Sequence, residues 1–405
     1  MKKLLFATAL CLLALGTGFA QVKSVKQAKS IANGTNPDFN KAESLIKEAM
    51  VNPETKNMPE TWDVAGFISK KYYDEEIKKA FLRTKYDTVR AYNSILNMFH
   101  YYNQCDKLAQ IPNEKGKIKN KFRKANAATL ISERPQLING GVHFYNMGRN
   151  EDALKFFGAY VESASYDMLA ESNIAATDTL LPQIAFYAIL AADRVGNQEA
   201  VIKYAPTAVN EPENGKFALQ TLAEAYKAKK DTIKFLEILN QGAETFPAHD
   251  YFLANLVDIY TNKGQIEKAM GVADKMVAAN PNNKLGLYIK AFLFHNLKKY
   301  DDAIEFYKKT IEIDPEYADA YSNIGLAYVM KAQDLAETMP SDMKDPKYKE
   351  INEKVKQMYD LARPFYEKAR ELEPDKQSLW LQGLYRIYYN LNMEKEYAEI
   401  ESLMK

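Results

Sequence analysis

Apolar residues recur along most of this chain at the three-and-four spacing of helices that bury one side. Between Asp250 and Pro281, residues Leu253, Leu256, Val257 and Tyr260 fall at i, i+3, i+4 and i+7, the stripe of an amphipathic helix. Asn262-Lys263-Gly264 then interrupts the stripe, with a glycine suited to the left-handed backbone of a helix exit. Ala269, Ala273 and Met276 stripe a second helix, and Asn280-Pro281 closes it, because proline cannot continue the hydrogen-bond ladder. No stretch shows the two-residue alternation and turn spacing of a sheet. The pattern predicts an all-α fold.

The scheme then repeats. Leu287, Ala291, Phe294, Ala303, Tyr307 and Pro315 follow it, and Tyr321, Ile324, Gly325, Tyr328, Ala362, Tyr366, Ala369 and Pro374 follow it again. Pro212, Pro247, Pro281, Pro315 and Pro374 each end a helical pattern, at spacings of 35, 34, 34 and 59 residues. The last spacing is one period of 34 with an insertion of 25. This order of large, apolar-small, aromatic, alanine-like and proline positions resembles the tetratricopeptide-repeat (TPR) family, whose unit is a 34-residue helix–turn–helix. The resemblance is specific over 250–374 and good over 181–247, where Tyr187-Ala188, Ala200, Tyr204, Leu222-Ala223 and Tyr226 carry it. It is weaker upstream, and a generic helical bundle is the alternative over 21–175. There Ala42 and Ala49 with Pro53 read as a second helix, Trp62, Ala65 and Gly66 as a first, and Ala153 with Phe157 as another second. The resemblance implies an α-solenoid of about eight repeats, irregular at its N-terminal end, wound as a right-handed superhelix with a concave and a convex side. A single hairpin cannot bury its stripe alone, so neighbours must stack.

Breaks in periodicity divide the chain into 1–20, 21–175 and 176–405. Ala109 to Lys121 reads as a polar surface loop, and Ser163 to Pro182 interrupts the array. The insertion lies near 332–357. Lys331 to Thr338 continues a first helix, Pro340 to Pro346 turns, and Tyr348 to Met358 starts the second helix early. Ile351, Val355, Met358 and Ala362 keep one apolar stripe throughout, so a lengthened hairpin is predicted. In Gln377 to Lys405, Trp380, Leu384 and Ile387 hold helical register before a charged segment, Glu394 to Glu401, suited to capping the stack.

The first 20 residues read as a secretory signal peptide. Met1-Lys2-Lys3 is basic, Leu4 to Leu15 is apolar, and small residues run to Ala20, after which cleavage is predicted. The run is shorter than the roughly 20 residues a spanning helix needs. Cys11 follows Leu10, not the small residue that precedes a lipid-modified cysteine. The expected location is periplasmic, outer-membrane associated or secreted. Without Lys2 and Lys3 the chain carries 52 basic and 53 acidic residues, with both signs interspersed. That balance leaves no footprint for nucleic acid or an anionic membrane. Cys105 is then the sole cysteine, so no intramolecular disulfide forms. It reads either as a reactive or intermolecular thiol or, with more weight, as a small helix residue.

Catalytic chemistry is scarce. His100, His143, His249 and His295 are not spaced for a shared helix face, and none has a His or Cys at metal-ligand spacing. Gly140-Gly141 precedes no lysine and reads as a close-packing pair, not a phosphate loop. No Gly-x-Ser-x-Gly elbow occurs. Glu75-Glu76 and Asp301-Asp302 read as helix-start carboxylates complementing the helix dipole. No metal, cofactor or enzymatic activity is expected.

The TPR resemblance implies a ligand groove lined by positions 2, 5, 9, 12 and 13 of each first helix. Those positions give Tyr288, Phe292 and His295 in one unit, Leu326 and Met330 in the next, and Tyr385, Tyr388 and Tyr389 in the last. The lining is apolar and tyrosine-rich, which suits a binding surface, although packing against a neighbouring helix would account for it too. A Lys/Asn clamp for a terminal carboxylate is missing. Position 5 holds Gln220, Ala254, Tyr288 and Ser322, and position 9 holds Glu224, Asp258, Phe292 and Leu326. The expected function is a non-catalytic envelope scaffold that binds a protein or peptide. The alternative is a binding component for a glycan or other small ligand feeding an outer-membrane uptake or assembly system. Asp87-Thr88-Val89, Asp178-Thr179-Leu180 and Asp231-Thr232-Ile233 also look like the short O-glycosylation acceptor of some bacteria, though Asp-Thr commonly starts helices.

Overall fold

A computed structural model describes residues 22–404; the predicted signal peptide, Cys11 and the cleavage point after Ala20 lie outside them. No strand occurs among the described residues, and the all-α fold of helical hairpins follows the predicted period. The chain divides into two compact units, one ending at Thr232 and the other running from Ile233 to Lys405.

In the first unit, α1 (22–32) pairs with α2 (Phe39–Val51), α3 (Pro59–Phe81) with α4 (Thr88–Ala109), and α5 (Arg123–Asn146) with α6 (Asn150–Ser163). After a 3-10 turn at Asp167–Ser172 and the one-turn α7 (Ile174–Thr177), α8 (Leu181–Arg194) pairs with α9 (Gln198–Ala208), and α10 (Gly215–Ala228) packs on α9. Side-chain caps mark several helix starts. Asp38, Asp87 and Asn197 accept from the backbone N–H three residues on, at 2.9–3.0 Å. Gly148 and Gly196 take φ of +72° and +68° in the hairpin turns, the left-handed backbone for which glycine has no Cβ penalty.

Gly140 and Gly141 are the close-packing pair that the sequence suggested. A Cβ on Gly141 would lie 2.3 Å from the Phe157 ring, and one on Gly140 would lie 2.5 Å from Phe156. Glu75-Glu76 correct the expectation of a helix start. They lie in the last two turns of α3, which runs 23 residues because nothing between Gly66 and Phe81 breaks it. Glu76 is buried there, accepting from Lys79 Nζ at 2.5 Å and from the backbone N–H of Asp87 at 2.6 Å. These bonds outweigh burial and hold its carboxyl below the usual range.

The interruption between α6 and α8 is tied down by a buried knot. Arg134 of α5 donates from Nη1 to Asp178 at 2.6 Å, from Nε to Ser163 Oγ at 2.9 Å and from Nη2 to the Tyr160 carbonyl at 3.1 Å. Its guanidinium lies 3.9 Å from the centre of the Tyr160 ring, whose hydroxyl donates to the same Asp178 oxygen at 2.7 Å. Each guanidinium nitrogen of a buried cation thereby donates once, and a carboxylate balances its charge, which is what burial of a charge requires.

The second unit opens with α11 (Thr232–Thr245). Four hairpins follow: α12 (Asp250–Asn262) with α13 (Ile266–Ala279), α14 (Lys284–Asn296) with α15 (Tyr300–Ile313), α16 (Ala318–Ala336) with α17 (Pro346–Leu372), and α18 (Leu381–Asn390) with α19 (Glu394–Leu403). The 25-residue insertion lengthens α16 and α17 to 19 and 27 residues, so the predicted long hairpin is present. Val355, Tyr359, Ala362, Tyr366 and Ala369 bury one stripe along α17, with Ile351 and Met358 packed at its edge. Tyr366 is wedged between two neighbouring helices. A Cβ on Gly325 of α16 would stand 2.5 Å from Cδ2 of its ring, and a Cβ on Gly383 of α18 would stand 2.4 Å from Cε1 and Cζ.

Candidate functional site

The predicted groove residues of the second unit divide by exposure. Phe292 on α14 is 42% exposed and Leu326 on α16 is 36% exposed, although both stand on helices whose other apolar residues are largely inside. They lie 34 residues apart, at the same place in successive first helices. Tyr288, one turn before Phe292, is half-buried. Its ring lies 5.5 Å from that of Tyr307 and 5.1 Å from that of Tyr317, and its hydroxyl accepts from Asn323 Nδ2 of α16 at 2.8 Å. Burial pushes the Tyr288 phenol up to about 12, so it acts as a neutral strut joining the two first helices. Met330 packs into the core cluster around Tyr307 and Ile324. His295 sits edge-on to Tyr300 at 5.4 Å, with burial lowering its pKa and no partner for Nδ1 among the described residues. A neutral, inward-turned imidazole of this kind is no surface cation.

The last repeat behaves differently. Tyr388 departs from the groove assignment: it is buried, its hydroxyl donates to Glu367 of α17 at 3.1 Å, and it belongs to the core that holds α18 on α17. Tyr385 is half-buried, its hydroxyl accepting from Tyr397 of α19 at 2.7 Å. Tyr389 stands out at 66% exposure, its ring 5.8 Å from that of Tyr397. Beside it opens a cleft of about 450 Å³, bounded by Lys356 of α17, the end of α18, the α18–α19 turn and Tyr397. A second cleft of about 410 Å³ lies on the other flank of the long hairpin, where Tyr300, Leu335 and Met358 meet beside Lys331, Asp334 and Lys354. Residue counting from helix starts missed both clefts, because the length of the insertion decides what faces them.

The first unit holds two further open clefts, of about 630 and 590 Å³. One lies beside Tyr86, His143 and Met147, where the His143 ring lies tilted against that of Tyr92 at 5.3 Å. The other lies between α4, α6 and α9, where Glu162 accepts both from Tyr204 Oη at 2.5 Å and from Lys203 at 2.6 Å. The remaining histidines also pack against rings: His100 against Trp62 and Tyr101, and His249 against Phe252. No group of three or more His, Cys, Asp or Glu suited to a metal occurs among the described residues. Cys105 is fully buried on α4, and burial pushes its thiol up to about 12, so the reactive-thiol reading does not hold. No helix among the described residues is long and apolar enough to cross a membrane.

A family model described as TPR repeat matches residues 293–331, from the end of α14 into α16. No curated protein matches the chain. Among solved structures, the chain is similar to the C-terminal part of a TPR repeat-containing protein from Cytophaga hutchinsonii (13% identity, 64% of this chain and 91% of that one, TM-score 0.42). It is similar also to PilW, a type IV pilus biogenesis factor (14%, 55% and 92%, 0.39), and to YrrB, a TPR protein with an unusual peptide-binding site (15%, 53% and 96%, 0.36). All three scores fall below 0.5, and none of these likenesses bears on what this chain holds.

Proposed function

We propose that this chain, which a TPR-repeat family model matches over residues 293–331, is an exported, non-catalytic scaffold holding a protein or peptide segment against the first helices of its C-terminal unit. The observation that carries the reading is the pair Phe292 and Leu326, left exposed one period apart while their neighbours are drawn into the core. Large apolar and aromatic side chains give contact area at small conformational cost, and such anchors dominate binding energy at interfaces. Tyr288 and Asn323 hold α14 to α16 beneath them, so the two anchors are presented by a braced support. Export is supported by the order of basic, apolar and small residues from Met1 to Ala20.

Photo-crosslinking residues placed at 292, 326 and 313 in the native host test the binding face. Adducts to one partner at 292 and 326, absent at 313 and abolished by Phe292→Glu, are the expected result. Equal labelling at all three positions refutes the assignment. N-terminal sequencing of the chain recovered from fractionated cells should begin at Gln21 in an envelope or secreted fraction; a cytoplasmic chain beginning at Met1 refutes export.

A further inference from the structure

We propose that the cleft between the long α16–α17 hairpin and the last repeat is a saccharide-binding site, with Tyr389 as the platform on which a sugar ring stacks. The site is separate from the Phe292–Leu326 face and stands or falls without it. One wall exists because of the insertion, since Lys356 belongs to the added part of α17. The other wall is the last turn of α18 and the turn into α19.

The chemistry of the lining selects the ligand. Tyr389 is the one strongly exposed ring on these walls, and a neighbouring ring supports it. Tyr397 packs against it, and Tyr397 is in turn fixed by its hydrogen bond to Tyr385, the two rings 4.9 Å apart. A ring held in this way loses little freedom when something stacks on it. Around it stand two amides, Asn390 and Asn392, one ammonium, Lys356, and one carboxylate, Glu394. The amide nitrogen of Asn390 is taken by the Arg386 carbonyl at 2.8 Å, which leaves its oxygen to accept. Neither Lys356 nor Glu394 has an ion pair among the described residues, and the two charges cancel across the cleft. Met393 is the only aliphatic lining residue.

A pyranose matches this set. Its C–H face is apolar and stacks on a phenol ring, while its edge hydroxyls each donate and accept, as side-chain amides paired with a carboxylate and an ammonium require. A phosphate finds one lysine and an opposing glutamate. Apart from the tyrosine rings, an apolar peptide anchor finds only Met393, amid four amide or charged groups. The volume of about 450 Å³ lies within the roughly 300–1,000 Å³ of small-ligand sites.

The test uses the full-length mature chain with chitotetraose, cellotetraose, mannotetraose and maltotetraose, read by saturation-transfer NMR and titrated by calorimetry. At least one should bind with a millimolar or tighter Kd, and Tyr389→Ala should weaken it by about tenfold or more. Asn392 has a φ of +56°, so Asn392→Gly removes the amide without straining the turn; it should weaken binding while leaving the Tm unchanged. Phe292→Glu should leave sugar binding intact. The proposal is overturned if none of the four binds, if Tyr389→Ala binds as wild type does, or if a peptide alone protects Tyr389 from modification.

Discussion

The wedge of Tyr366 between Gly325 and Gly383 makes a prediction whose sign can be reversed on purpose. Gly325→Ala would normally stabilise a helix interior by about 1 kcal/mol. Here the new methyl would stand 2.5 Å from the Tyr366 ring, which also packs closely on α18, where a Cβ on Gly383 would stand 2.4 Å from it. Overpacking of this kind typically costs about 1–3 kcal/mol, and a ring packed against two helices at once belongs at the upper end. The net expectation is a loss of about 1–2 kcal/mol, or about 3–6 °C in Tm for a cooperative unit of this size. Tyr366→Ala alone should cost about 3–5 kcal/mol, since the ring is 5% exposed. With the ring gone, Gly325→Ala should change sign and stabilise by about 0.5–1 kcal/mol. Circular-dichroism melts and urea titrations of the four proteins measure the cycle. A Gly325→Ala single mutant as stable as wild type, or an equal loss in both backgrounds, would refute the reasoning.

Four further predictions concern the first unit and the acceptor-like threonines. Asp178→Ala strands the buried Arg134 guanidinium and should cost about 3–5 kcal/mol, read as faster hydrogen exchange or proteolysis between Ser163 and Leu181. Burial pushes the Asp178 carboxyl upward, but its bonds to Arg134 and Tyr160 prevail and hold it below 3.8. Its stabilisation is therefore complete above about pH 4 and lost as pH falls through the lowered value, so wild type should lose stability more steeply below pH 4 than Asp178→Asn, with no difference from pH 5 to 8. Cys105 should resist iodoacetamide at neutral pH while folded and react fully in urea; labelling of the native chain would contradict its burial. Thr179 and Thr232 are exposed and Thr88 is half-buried, all at or near helix starts, so any glycan detected by intact mass on protein from the native host should map to the first two before the third.

The repeat was legible because its physics is local and periodic: a small residue on one helix faces an aromatic residue on its partner, as with Gly141 and Phe157, and proline or glycine marks many exits, although Lys230, Lys298 and Asn392 take the left-handed turn at others. Even the long hairpin could be read, since Val355 and Ala362 keep one stripe across it. The start of Glu75-Glu76 was misjudged because α3 lacks any breaker to reveal its true length. The exposure of the groove candidates divides for a related reason. Counting from a helix start puts Phe292 and Leu326 at positions that the structure leaves exposed, but it assigns Tyr388 outward, where α17 presents Glu367 and covers it. Lys356, Asn390 and Asn392 carried no signal, because their meeting depends on a neighbour 25 residues longer than the period allows.

That oversized hairpin also bears on how the array is read by what it holds. Identical modules in series present the same address again and again, and a ligand laid along them can slip by one module at little cost. A single outlier removes that degeneracy: the flanks of α16 and α17 occur once in the unit, so whatever docks against them is fixed in position as well as in kind.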